Sequence, residues 1–112
     1  MTGAALRADA AAGEAYDLVA VSDVLVYVGD LAPFFAAAAA ASRPGAALAL
    51  TLEDGTGPTF DLAATGRYRH APHYCVDAAD AAGWALVART SATLRENRGE
   101  PVVGSVFLFR RR

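Results

Sequence analysis

The chain has 112 residues, a formal net charge of −2 and 54% apolar residues, which suits one small domain with a modest buried core. All ten basic residues are arginine, and the balance of charge leaves no global basic field to recruit nucleic acid or an anionic membrane. The single cysteine, Cys75, excludes an internal disulfide framework, supplies no metal cluster and fits a reducing compartment. No apolar segment of secretory-leader type opens the chain, and the apolar run Leu31–Ala41 is too short to span a bilayer.

Residues 1–15 are rich in alanine and glycine with scattered charge. Tyr16–Val21 is a short β-prone run, apolar on both faces, as a central parallel strand would be. Ser22 and Asp23 end it, and Val24–Val28 is a short connector. Asp30 is placed to cap a helix over Leu31–Ser42, with Pro33 in its first turn. Leu31, Phe34 and Phe35 share one face of that helix and read as core. Arg43-Pro44-Gly45 stops it. Ala46–Leu52 is a second apolar strand.

Glu53–Pro58 is turn-rich, Thr59–Leu62 a short extended piece, and Ala63–His70 polar and irregular. Pro72–Ala82 reads as a helix with Gly83 as its C-terminal cap. Trp84–Thr93 alternates as a strand does, Leu94–Pro101 reads as a charged turn, and Val102–Phe109 is the last strand. The alanine run 36–41 is helix-compatible, no internal repeat is present, and no linker divides the chain. The order β-α-β-α-β-β indicates an α/β fold whose mostly parallel sheet is finished by an antiparallel hairpin.

Several short phrases then occur in a telling order. They are Tyr16-Asp17-Leu18-Val19, Ser22-Asp23-Val24-Leu25, Arg43-Pro44-Gly45-Ala46 and Ala82-Gly83-Trp84. Together they resemble the C-terminal half of a class I S-adenosylmethionine (SAM)-dependent methyltransferase. The second glycine usual in the family's Arg-Pro-Gly-Gly turn is replaced by Ala46. Asp23–Leu31 with Gly66–His70 downstream is similar to a bacterial subgroup often fused to tetratricopeptide repeats, which this chain does not carry. The resemblance implies an incomplete Rossmann-like sheet of strand order 4-5-7-6, residues 1–112 forming a single truncated domain that lacks the family's first three strands.

It also implies site residues. Leu6-Arg7-Ala8-Asp9-Ala10 is similar to the end of the family's third strand, so Asp9 and Ala10 are candidate adenine contacts. Ser22 and Asp23 would border the methionine end of SAM, where open α/β sheets bind ligands outside the carboxyl ends of strands. On the acceptor side stand Tyr27, Arg67, Tyr68 and His73 as candidate substrate-binding residues, since arginine pairs with carboxylate or phosphate. His70 is the candidate general base. The bland alternative for this set is solvated arginines and edge-packed tyrosines. His70 and His73 have no evident third ligand for a metal, and Cys75 reads as a small buried residue rather than a nucleophile.

The family's glycine-rich first loop and ribose-binding acid have no match here, so SAM binding by this chain is expected to be weak or absent, and whether it is itself an enzyme stays open. The expected function is that of a cytoplasmic methyltransferase portion acting on a small-molecule acceptor, inactive alone. The alternative is a non-catalytic interaction module, or a separately encoded half, that pairs through an exposed edge strand with a second copy or a complementary N-terminal fragment.

Overall fold

The computed structural model describes residues 16–21 and 24–112. Four strands form the main sheet: β1 (Tyr16–Val21), β2 (Ser42–Glu53), β5 (Trp84–Asn97) and β6 (Glu100–Arg111), in the spatial order β1-β2-β6-β5. β1 and β2 run parallel, with Val19 opposite Leu48 and Val21 opposite Leu50. β6 is antiparallel to both of its neighbours. This is the 4-5-7-6 arrangement expected from the sequence. A short 3-10 turn (Leu25–Tyr27) follows β1, and a two-stranded hairpin, β3 (Phe60–Leu62) with β4 (Tyr68–His70), stands apart from the main sheet.

Two helices, α1 (Ala32–Ala41) and α2 (Pro72–Ala81), pack on the sheet. Burial alternates along the strands because side chains project with period two. Val19, Val21, Leu48, Leu50, Leu52, Phe107 and Phe109 therefore share one buried cluster with Phe35, Ala38 and Ala41 of α1 and Cys75 and Ala79 of α2. Leu31, Phe34 and Phe35 are buried core residues, as their spacing indicates. The indole of Trp84, fully buried, donates to the Phe35 carbonyl at 3.1 Å and pins the start of β5 to α1. That bond satisfies the one polar atom of a large apolar group.

Three local expectations change. The helix covers Ala32–Ala41 rather than Leu31–Ser42, although Asp30 does act at its start, its Oδ1 accepting from the Ala32 N–H at 3.0 Å. Ala63–His70 is not wholly irregular, because Tyr68–His70 pairs with Phe60–Leu62. Leu94–Pro101 is not a loop: β5 and β6 pair out to Asn97 and Glu100, and only Arg98-Gly99 turns. Both tip residues have positive φ, 52° and 79°, as a two-residue hairpin turn with matching twist requires. The polar side chains of this stretch mimic a loop in composition, while the backbone simply continues the ladder.

The side of the sheet opposite the helices carries Leu18, Ala20, Ala47, Ala49, Val106 and Leu108. Leu18 is 62% exposed, and β1 has β2 as its one neighbour among the described residues.

Candidate functional site

Parallel strands β1 and β2 end on the same side, and the chain beyond them is gathered there by the β3–β4 hairpin. His70 ends β4, and its side chain is fully buried. Its Nε2 lies 2.7 Å from the Val28 carbonyl and 3.0 Å from the Gly29 carbonyl. Both partners are acceptors, so Nε2 carries the proton and Nδ1 does not. Nδ1 is buried with no hydrogen-bond partner among the described residues. Burial lowers the pKa of His70 below its ordinary value, against the opposing pull of the two carbonyls and of Asp61. The ring is thus a neutral clasp on the loop that follows the 3-10 turn.

Aromatic rings complete the clasp. Phe60 meets Tyr68 edge-on at 5.9 Å between centroids and tilts against His70 and Tyr74. Gly29 lets this happen: a Cβ there would come within 2.6 Å of the Phe60 ring. Tyr74 bridges to α1, its hydroxyl donating to Asp30 at 3.2 Å and accepting from the Leu31 N–H at 3.0 Å. Burial raises the pKa of that phenol, which keeps the proton that Asp30 accepts.

Glu53, at the end of β2, is buried and accepts from Arg67 Nε at 2.6 Å, with Arg95 Nε 3.6 Å from the same oxygen. Asp61 pairs with Arg69. Asp54 accepts from the Ser105 hydroxyl at 2.8 Å, which in turn accepts from Arg89 Nε at 2.9 Å. Glu53, Asp54 and Asp61 are therefore each tied to arginine.

The structure unites part of the sequence-expected set. The Arg67 guanidinium stands 5.7 Å from the centre of the Tyr27 ring, a cation–π contact, and Tyr27 is 67% exposed. Tyr68 lies on the β3–β4 hairpin, its ring edge-on to Phe60. His73 is exposed on the first turn of α2 and joins none of these groups. Asp9, Ala10, Ser22 and Asp23 lie outside the described residues. Sequence reading missed Glu53 and Arg95. The available signal was an acid closing an otherwise apolar strand, which demands a basic partner once buried.

No protein-family model matches the sequence, and no curated protein matches it. Solved structures do. A SAM-dependent methyltransferase from Methanosarcina mazei superposes with a TM-score of 0.71 at 15% identity, over 88% of this chain and 60% of that one. The N-methyltransferase NodS from Bradyrhizobium japonicum, in complex with S-adenosyl-L-homocysteine, gives 0.62 at 19% identity, over 88% and 47%. Magnesium protoporphyrin IX methyltransferase from Synechocystis, with bound SAM, gives 0.64 at 15%, over 92% and 42%. The chain has the fold of a fragment of a class I SAM-dependent methyltransferase. It spans 60% or less of the length of each of these structures.

The cofactor of that fold can be set against the described residues. A close backbone approach to SAM needs glycines left open beyond the strand ends. Gly29 and Gly55 occupy such places, but Gly29 is filled by Phe60 and Gly55 by the backbone of Arg69 and His70, at 3.2 and 3.3 Å from where a Cβ would stand. Neither of these two offers a cradle, whereas nothing stands within 4 Å of where a Cβ on Gly57 would lie.

Proposed function

We propose that this chain is the acceptor-side portion of a SAM-dependent methyltransferase for a small molecule, and that it transfers no methyl group alone. The sheet order β1-β2-β6-β5, with polar and aromatic side chains gathered where β1 and β2 end, carries this reading. In open α/β sheets, ligands lie beyond those strand ends. A structure of similar fold, the 1,6-didemethyltoxoflavin-N1-methyltransferase of Burkholderia thailandensis, has 1,6-didemethyltoxoflavin and S-adenosylhomocysteine bound.

In this reading Tyr27, Arg67 and Tyr68 meet the acceptor, and His73 adds a contact at the rim. Asp9 and Ala10 serve adenine, and Ser22 and Asp23 border the methyl donor. His70 is a positioning group: both its carbonyl bonds hold residues 28–29, and its buried ring has no open path to an acceptor proton. A reducing, cytoplasmic setting suits buried Cys75, whose thiol burial pushes up to about 12. The rest of the cofactor site comes from outside the 112 residues, in a further segment or a second chain.

Calorimetric titration with SAM tests this. The 112-residue chain is expected to show weak binding or none, and binding should appear when the product of an adjoining gene supplies a glycine-rich strand–loop–helix. A low-micromolar dissociation constant for the chain alone would sink the proposal that its cofactor site is incomplete.

A second reading, a non-catalytic module that joins a partner through β1, draws on the exposed Leu18 at the sheet edge.

A further inference from the structure

Two arginines, Arg67 and Arg95, converge on the Glu53 carboxylate beyond the strand ends, and a third, Arg98, lines the same cavity. Arg67 precedes β4, Arg95 lies near the end of β5, and Arg98 sits at the β5–β6 tip. With Ala64 and Thr65 they line a cavity of about 510 Å3. Glu53 is engaged by Arg67 at 2.6 Å and approached by Arg95 at 3.6 Å, beyond hydrogen-bond length. Arg95 Nε is buried with no hydrogen-bond partner, and Arg98 makes no ion pair, among the described residues. Asp54 and Asp61 do not neutralise the cluster, being held by Arg89 and Arg69 respectively. Among the described residues the cavity therefore carries more arginine than carboxylate, in a partly desolvated place.

The hydroxyl of Thr65 accepts from the Arg67 N–H at 3.4 Å, which leaves its own O–H to donate. A second cavity of about 370 Å3 shares Thr65 and Arg95 with the first, is lined also by Arg69 and by the arginine-paired Glu53 and Asp54, and runs along Pro101, Val102 and Val103. Charge at one end and apolar wall at the other define the shape of an anionic organic molecule.

We propose that this cavity is an oxyanion subsite that receives the carboxylate or phosphate of the methyl acceptor, with the acceptor's apolar body against Pro101, Val102 and Val103. It rests on the acceptor-side reading for the identity of the ligand, and on the arginine geometry for its charge. Planar guanidinium groups bind such oxyanions bidentately.

The test is titration of the 112-residue chain, without SAM, by phenyl phosphate, benzoate and benzyl alcohol, followed by amide NMR at Thr65, Arg95 and Arg98. Both anions are expected to saturate with dissociation constants on the order of millimolar, as suits fragments, and benzyl alcohol is expected to leave these amides unmoved. The tighter anion identifies the acceptor's charged group. Arg98→Asn should weaken binding about tenfold, because asparagine keeps the left-handed tip, φ 52°, without the guanidinium. Arg95→Gln should do the same. No saturable shift with either anion, or affinities unchanged in both variants, would overturn the subsite. SAM is absent throughout, so that failure would leave the acceptor-side reading standing, and failed SAM binding would leave the subsite standing.

Discussion

His70 and Val28 lie 42 positions apart in the chain, and the His70 Nε2–H donates to the Val28 carbonyl at 2.7 Å. This bond fastens the loop after the 3-10 turn to the β3–β4 hairpin, and it needs the proton on Nε2. Where Tyr27 and Arg67 stand depends on that fastening, since both flank the segments it joins.

The clasp sets a pH dependence. The folded-state pKa of His70 lies below the ordinary 6.5, so the unfolded chain binds the proton more readily. Stability from this group is complete above about pH 6.5 and is lost as pH falls from there through the lowered folded value. Thermal melting should therefore drop between pH 7.5 and pH 5.5 in the native chain by more than in His70→Gln. His73→Gln, at an exposed site, should keep the native profile. Equal drops in all three proteins would show that His70 does not carry the effect.

Arg67 and Glu53 form a buried pair, with side chains 14% and 6% exposed. Breaking it from the arginine side leaves the buried Glu53 carboxylate, among the described residues, with Arg95 alone, 3.6 Å away, at a cost of about 2 kcal/mol. Arg67→Met should lose that much in urea unfolding. The double variant Arg67→Met/Glu53→Gln should lose clearly less than the two single losses added, by about 1–2 kcal/mol. Strict additivity would mean that the two side chains do not stabilise one another in solution.

The interaction-module reading expects the edge of β1 to govern association. Val19 is 2% exposed and faces the helices, so a charge there would disrupt the core, whereas Leu18 is 62% exposed on the opposite side. Leu18→Lys is the informative substitution, because lysine at an edge discourages strand pairing. Sedimentation velocity at rising concentration should show self-association of the native chain and markedly less for Leu18→Lys, with melting temperatures alike. A monomer at every concentration in both proteins would rule out β1 as an adhesive edge and weaken the interaction-module reading.

Much of the sheet was legible because apolar runs and their stops are local signals. Tyr16–Val21 and Ala46–Leu52 are apolar segments broken by one polar residue each, Asp17 and Thr51, Asp30 marks a helix start, and the short span between Trp84–Thr93 and Val102–Phe109 makes a hairpin. The far ends of β5 and β6 were not legible, since Arg95, Glu96 and Asn97 have the composition of a turn and are strand only by pairing with Val102, Pro101 and Glu100.

The candidate site divides in the same way. Residue type and spacing in the sequence determined the buried faces of α1 and β2, because they report local burial, while the strand order was implied by the resemblance of its phrases to a methyltransferase half. Only the tertiary structure decided that His70 clasps Val28 and Gly29, and that Arg67 and Arg95 converge on Glu53. These contacts join residues 14 to 42 positions apart. They arise from how β2, the β3–β4 hairpin and the β5–β6 tip meet, and a buried charge or imidazole can take its partner from any segment that folding brings beside it.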